Sequence, residues 1–144
     1  MNLAVDASVL IAELLRVRGR ALFQLPDLRL LVAQEQWAET ERGLEQRAAA
    51  LRKRVPAEEV ESLLDQAHAL VAAGAIVVVP SGVYAEREAT ARRRIRDQTD
   101  WPTVALALAT GSAILTNDPD FLGCGIATWT VDSLLAELGS RDSR

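Results

Sequence analysis

The sequence predicts a doubly wound α/β protein, in which helices cover both faces of a sheet built from consecutive parallel strands. Three observations lead to this fold class. Five short apolar runs are nearly continuous and partly β-branched, which is typical of strands buried on both faces. Helical stretches separate most of these runs, in the order β-α-β-αα-β-α-α-β-β-α. The 144 residues contain no linker and no repeat, so they fit one domain.

The predicted strands are the apolar runs at residues 3–5, 28–33, 75–79, 113–115 and 126–131. One helix is expected between the first two strands. A long helix is expected over residues 35–54, which are rich in Ala, Leu, Glu and Arg. The next helix begins after Pro56 and ends at Gly74, and its apolar residues recur with helical spacing. A short final helix closes a domain of residues 1–138, and residues 139–144 are expected to form a loose tail.

Composition narrows the class of protein. Hydrophobic residues make up 49% of the chain and charged residues 25%, which excludes a wholly disordered chain. Because the formal net charge is -4, contact with nucleic acid requires a local basic patch or a bound cation. One cysteine and one histidine exclude an internal disulfide framework and an ordinary zinc site. The first residues form no basic leader and no apolar run is long enough to span a membrane, so a cytoplasmic protein is expected.

Four acids fall where predicted strands end or the following helices begin. Asp6 ends the first strand, and Asp118 follows the fourth. Asp100 begins the helix that leads into the fourth strand, and Glu39 lies in the first turns of the helix after the second. Ligands of doubly wound folds bind at this edge of the sheet. Taken singly, however, each acid also fits a capping or turn role.

Taken together, the acids indicate a metal site. Carboxylates that lie close together repel one another, and a fold keeps them only with a cation or a shared proton. A set of oxygen ligands without His or Cys favours a hard ion, Mg²⁺ or Mn²⁺, and such ions also take phosphate oxygens as ligands. The chemistry that this predicts is metal-assisted attack of water on a phosphodiester.

The same segments resemble a PIN domain. The chain has Asp-Ala-Ser-Val-Leu-Ile at residues 6–11, Val-Ala-Leu-Ala-Leu-Ala at residues 104–109 and Thr-Asn-Asp-Pro-Asp-Phe at residues 116–121. The likeness runs from Asp6 to about Leu135. It implies a three-layer α/β/α fold with a five-stranded parallel sheet, and an acidic Mg²⁺ or Mn²⁺ pocket that hydrolyses RNA. Because the best-known members are the VapC-type ribonuclease toxins of toxin–antitoxin pairs, it also implies a toxin role and an antitoxin partner.

The resemblance assigns roles to these acids by position. Asp6 is the central metal ligand, and Asp118 is a second ligand. Asp100 is the third acid. Glu39 is the fourth, and it either binds metal or orients the attacking water. Asp120 is a fifth candidate, either peripheral or a ligand of a second ion.

Two of these assignments have competitors nearby in the sequence. Glu35 and Glu41 lie close to Glu39, which is preferred because it lies about six residues beyond the strand and follows an apolar residue. Asp97 competes with Asp100, which is preferred because the alanine-rich helix begins immediately after it. In this assignment Asp97 supports the metal ligands from outside.

Further residues are expected to support the site or to hold RNA. The hydroxyls of Ser8 and Thr116 are expected to hydrogen-bond the carboxylates and fix their orientation. A dense basic run before Asp97 is expected to hold RNA phosphates, although a solvated helix face is the alternative. The members of this run are Arg92, Arg93, Arg94 and Arg96.

Two functions remain open for such a chain. The first is a metal-dependent endoribonuclease, with RNA as substrate, that forms a homodimer or binds an antitoxin through apolar residues of the helical hairpin at residues 35–73. The alternative is a catalytically weak PIN-fold module that binds RNA or a protein.

Overall fold

In the computed structural model, which describes residues 1–142, five strands form one sheet and every neighbouring pair runs parallel. The strands are β1 (Asn2–Val5), β2 (Arg29–Ala33), β3 (Ile76–Val79), β4 (Ala113–Leu115) and β5 (Thr128–Trp129). Their spatial order is β3-β2-β1-β4-β5. The carboxyl end of β1 therefore lies between those of β2 and β4. The predicted fold class is confirmed.

Seven helices flank this sheet within the described residues. Their bounds are Ala7–Glu13 (α1), Val17–Phe23 (α2), Gln34–Leu51 (α3), Ala57–Ala72 (α4), Glu88–Arg94 (α5), Trp101–Thr110 (α6) and Val131–Asp142 (α7). α6 has Pro102 in its first turn and ends at Gly111, whose φ of 65° is the left-handed conformation that favours glycine. No helix among residues 1–142 is both long enough and apolar enough to span a bilayer.

Alternate residues of β1 show how the two faces of the sheet are covered. Leu3 and Val5 belong to an apolar cluster with residues of α1, α2, α3, α4 and α7. Ala4 belongs to a second cluster, which contains residues of α5 and α6. All three side chains are fully buried. Burial on both faces explains why the strand lacks polar alternation.

The segment between β1 and β2 forms two helices, so the prediction of a single helix is wrong. α1 ends at Glu13, and α2 begins only four residues later at Val17. Gly19 packs against the end of α1 so closely that a Cβ atom there would lie 2.1 Å from the carbonyl oxygen of Glu13. The buried Glu13 carboxylate also accepts a hydrogen bond from Arg18 at 2.9 Å. This bend depends on contacts between the helices, which local sequence patterns do not reveal.

The C-terminal region also differs from the prediction. The apolar run at residues 126–131 contributes only Thr128–Trp129 to the sheet, because the chain enters α7 at Val131. α7 continues to Asp142, so residues 139–142 of the expected loose tail are helical, and residues 143–144 lie outside the described residues. The helix is anchored by the buried Leu134 and by Leu138, which packs against the same core.

Candidate active site

Asp6 lies at the carboxyl end of the central strand, where it caps α1. Its Oδ1 atom accepts hydrogen bonds from the Val9 N–H and the Ser8 hydroxyl, both at 3.0 Å. Its Oδ2 atom accepts a 2.6 Å bond from the Thr116 hydroxyl. Burial raises the pKa of Asp6, these three hydrogen bonds lower it, and the charge of Asp118 raises it. Both carboxylate oxygens are thus held in a fixed orientation.

Thr116 joins Asp6 to the segment that follows β4. Its hydroxyl oxygen accepts a 3.0 Å hydrogen bond from the backbone N–H of Asp118 while it donates to Asp6. Asp118 is half-buried, and its Oδ1 atom accepts a 2.9 Å bond from the Asp120 N–H. The bond from the Asp120 N–H is the one expected if Asp118 is a turn residue. The structure shows that this turn and the contact with the Asp6 network exist together.

Asp100 precedes α6 and is half-buried. An Asp at this position ordinarily accepts a hydrogen bond from the first turn of the helix, yet its side chain makes no such bond. Among the described residues, its buried Oδ2 atom has no hydrogen-bond partner. Capping therefore does not account for Asp100. A buried carboxylate oxygen without a partner is costly unless a water molecule or an ion binds it.

The charges around Asp100 show which acids lie together. Burial is the largest cause that raises the pKa of Asp100 to about 7. The negative charges of Asp97, Asp118, Asp6 and Glu39 raise this pKa further. We refer to Asp6, Glu39, Asp100 and Asp118 as the acidic cluster. These four acids come from separate segments, and the fold brings them into one electrostatic neighbourhood.

The three neighbouring glutamates of α3 have different surroundings. Glu39 is exposed, and its charge acts on Asp100. Glu35 accepts a hydrogen bond from the hydroxyl of the fully buried Tyr84. This bond and burial raise the pKa of Tyr84, burial being the larger cause. Glu41 is exposed on the same helix. The effect of its charge on Asp100 therefore separates Glu39 from Glu35 and Glu41.

Asp97 and Asp120 are the two remaining candidate acids, and the charge of Asp97 has a larger effect on the pKa of Asp100 than any other charge. Asp97 is exposed, and its Oδ1 atom accepts bonds from the Thr99 N–H at 3.0 Å and the Thr99 hydroxyl at 2.8 Å. These bonds lower the pKa of Asp97. Asp120 is half-buried and contributes its backbone N–H to the carboxylate of Asp118.

The arginines of the basic run are exposed and make different contacts. The guanidinium carbon of Arg92 lies 5.1 Å from the ring centroid of Trp101, the residue next to Asp100. Arg94 donates a 3.4 Å bond to the carbonyl of Cys124, in the loop before β5. Arg93 donates to the Thr90 hydroxyl at 3.5 Å, and Arg96 lies beyond α5. Within residues 1–142, Arg92 is the one member of this run that lies over an aromatic ring.

Two residues near the site escaped the sequence analysis. Gln36 is buried and hydrogen-bonds the backbone at Ala7 and at Thr99. Asn117 accepts a 3.1 Å bond from the Val131 N–H, which ties the loop after β4 to the start of α7. Both partners of Gln36 are distant in sequence, so no local pattern identifies it. Asn117 lies within the Thr-Asn-Asp motif at residues 116–118, and this motif could have identified it from the sequence.

The acids of the site fit one mode of binding a divalent ion and not another. Among residues 1–142, no three Asp, Glu, His or Cys side chains are grouped closely enough to hold an ion. Mg²⁺, however, is commonly held through one or two carboxylates, with water and phosphate as the remaining ligands. The partnerless Oδ2 atom of Asp100 and an all-oxygen donor set fit that mode of binding.

These features define a class of protein: an open parallel α/β fold with acids gathered at the carboxyl edge of its sheet. The sequence model of the PIN domain matches residues 4–139, so the chain belongs to the PIN domain family. PIN domains are generally nucleases, and they generally use divalent metals. The predicted family is therefore confirmed.

Solved structures support the same fold. The chain is similar to PAE2754 from Pyrobaculum aerophilum, with 20% identity and a TM-score of 0.67 over 97% of this chain and 90% of that one. It is also similar to FitAcB from Neisseria gonorrhoeae, with 19% identity and a TM-score of 0.52 over 90% of this chain and 96% of that one. A comparison with curated proteins gave no significant match.

Proposed function

We propose that this protein is an endoribonuclease that hydrolyses RNA phosphodiester bonds with Mg²⁺ or Mn²⁺. The observation that carries the proposal is the carboxylate of Asp100. It is half-buried, its pKa is raised to about 7, and its buried oxygen has no partner within the described residues. The negative charges of Asp97 and of the other three acids of the cluster raise the pKa of Asp100 further. A cation removes this electrostatic cost, which a purely structural role leaves in place.

In this mechanism the acidic residues have separate roles. Asp6, held by hydrogen bonds on both oxygens, would be the fixed ligand, and Asp100 and Asp118 are the candidates for a second carboxylate ligand. An ion held there would supply positive charge next to the phosphate and would lower the pKa of a water molecule. The exposed Glu39 carboxylate orients that water and accepts its proton. Asp120 is proposed as a ligand of a second ion.

The substrate class is proposed to be RNA, with phosphates held by Arg92, Arg93, Arg94 and Arg96. All four side chains are exposed, and Arg92 lies over Trp101 beside the acidic cluster. Because the whole chain carries a net charge of -4, such local positive charge is needed to hold a polyanion near the acids. Arg92 also pairs with Glu88 at 3.5 Å, a weak exposed contact that RNA can replace.

The test is cleavage of labelled single-stranded RNA in Mn²⁺ or Mg²⁺ against EDTA, with the Asp6→Asn and Asp100→Asn variants. We expect metal-dependent cleavage that falls by about 100-fold or more in either variant. Asp65→Asn, on the exposed surface of α4, is the matched control and is expected to cleave like the wild type. Cleavage that persists in EDTA, or in Asp100→Asn, contradicts the mechanism.

One observation favours the second candidate function, a catalytically weak module that binds RNA or protein. Among the described residues, the acids are not grouped closely enough to hold an ion as they stand. A thermal shift on Mn²⁺ addition separates the two candidates, because an ion that binds the folded state raises its stability. Intact RNA binding without such a shift and without turnover supports the binding module.

The same proposal extends to biological role and partners. We propose a toxin role with an antitoxin partner, a homodimeric state and a cytoplasmic location, all of which rest on the family resemblance alone. The helical hairpin of α3 and α4 gives little support for a docking face, because its large apolar residues Val60, Leu64 and Leu70 are buried in the core. Light scattering after size-exclusion chromatography measures the oligomeric state directly.

A further inference from the structure

Gln36 is a buried amide whose two ends contact two distant parts of the chain. It is 3% exposed and lies in the first turn of α3. Its Oε1 atom accepts a 2.9 Å hydrogen bond from the Ala7 N–H. Its Nε2 atom donates a 3.4 Å bond to the carbonyl oxygen of Thr99. One side chain therefore bridges segments that lie 29 and 63 residues away from it in sequence.

Each segment that Gln36 touches carries an acid of the cluster. Ala7 directly follows Asp6, and Thr99 directly precedes Asp100. Gln36 itself lies three residues before Glu39, which places the two on neighbouring positions of one helix face. The amide is thus the common contact of three acid-bearing segments.

The bond to Ala7 also satisfies one N–H group at the N-terminus of α1. The first N–H groups of a helix have no partner within the helix. Asp6 satisfies the N–H of Val9, while Gln36 satisfies the N–H of Ala7 from another helix. An apolar side chain at position 36 leaves this N–H without its partner and leaves the Thr99 carbonyl without the Gln36 donor.

We propose that Gln36 is a positioning residue that sets the separation of Asp6, Glu39 and Asp100, and thereby the affinity of the acidic cluster for a divalent ion. The inference rests on the proposed metal-binding function of these acids. Both side-chain hydrogen bonds of Gln36 go to backbone groups beside acids of the cluster, so we infer that it acts through the acids and not on the substrate. Loss of such an outer contact typically lowers metal affinity by 10- to 100-fold.

The experiment compares Gln36→Met, which preserves side-chain length but loses both bonds, with two controls on the same helix. Gln34→Leu removes a glutamine whose Oε1 atom accepts a 3.1 Å bond from the Ser81 N–H, in a segment without an acid of the cluster. Thr40→Val removes the buried 2.8 Å bond from the Thr40 hydroxyl to the carbonyl of Gln36, within α3. Mn²⁺ affinity is measured by electron paramagnetic resonance of free Mn²⁺, with melting temperature, kcat and KM for RNA.

We expect Gln36→Met to weaken Mn²⁺ binding by about tenfold or more and to lower kcat at fixed Mn²⁺, with KM for RNA within about twofold. Both controls are expected to keep the wild-type affinity within about twofold. If Gln36→Met does not fold, Gln36→Asn replaces it, because it keeps the amide but is one methylene too short for both bonds. The same loss of affinity is expected there.

The outcomes distinguish this inference from the proposed function. If the wild type binds Mn²⁺ but does not cleave RNA, the nuclease is refuted, and the affinities of the variants still decide the role of Gln36. Wild-type affinity in Gln36→Met or Gln36→Asn overturns the inference. An equal loss in Thr40→Val at a matched drop in melting temperature also overturns it, because it indicates general destabilisation. A wild type that binds no Mn²⁺ overturns both proposals.

Discussion

Asp100 is expected to destabilise the metal-free protein at neutral pH, so that Asp100→Asn makes the protein more stable. The folded-state pKa of Asp100 is about 7, against its ordinary value of 3.8. Between these values the folded protein binds more protons than the unfolded chain, and its free energy of unfolding therefore falls as pH rises. Three pKa units correspond to about 4 kcal/mol at most. Because Asp100 is only half-buried, solvent screening reduces this to roughly 1–2 kcal/mol.

The assay is urea unfolding of wild type and Asp100→Asn in EDTA at several pH values from 4.5 to 8. At pH 8 the variant is expected to gain about 1–2 kcal/mol, or a few degrees in melting temperature, and the gain should vanish toward pH 4.5. Asp65→Asn controls for the removal of one negative charge. Saturating Mn²⁺ should reverse the order, because only the wild type gains stability from the ion. A variant that is no more stable than the wild type at pH 8 refutes the reasoning.

Three further changes test other parts of the structure. Thr116→Val removes a hydrogen bond that lowers the pKa of Asp6, so the acidic limb of the activity profile should move to higher pH; an unchanged profile contradicts the role of this hydroxyl. Gly19→Ala should destabilise the fold by about 1–3 kcal/mol in urea unfolding, because a Cβ atom there lies 2.1 Å from the Glu13 carbonyl oxygen; wild-type stability excludes that close contact. Arg92→Ala should raise KM for RNA severalfold with little change in kcat, and an unchanged KM places the RNA elsewhere.

The strands and the two long helices were predictable because their signals are local. Apolar runs without alternation indicate strands buried on both faces, and the sheet is covered by helices on both faces. The helix after Pro56 and the turn at Gly74 follow from the residues themselves. The bend between α1 and α2 was missed because it depends on contact between Gly19 and Glu13, which no periodicity records.

The candidate site divides in the same way. Asp6 and Asp118 were predicted from short motifs at strand ends, and the structure shows that both also make the local bonds expected of capping or turn residues. The sequence could not separate a metal-binding role from a capping or turn role, because a carboxylate has two oxygens and one residue can fill both roles. The surroundings of Asp100 and Glu39 became distinguishable from those of Asp97 and Glu35 only through burial and charge in the folded chain.

By itself, the sequence determined the fold class and the family, and it predicted the edge of the sheet where the candidate acids lie, because strand patterns and short motifs consist of contiguous residues. Only the tertiary structure decided how those acids are held. Gln36 meets Ala7 and Thr99 across 29 and 63 residues. Its partners are backbone groups, which every residue possesses. The residue types at positions 7 and 99 therefore do not indicate a contact with Gln36. The arrangement of the site is therefore a property of the folded chain, in which distant segments are brought within hydrogen-bonding distance.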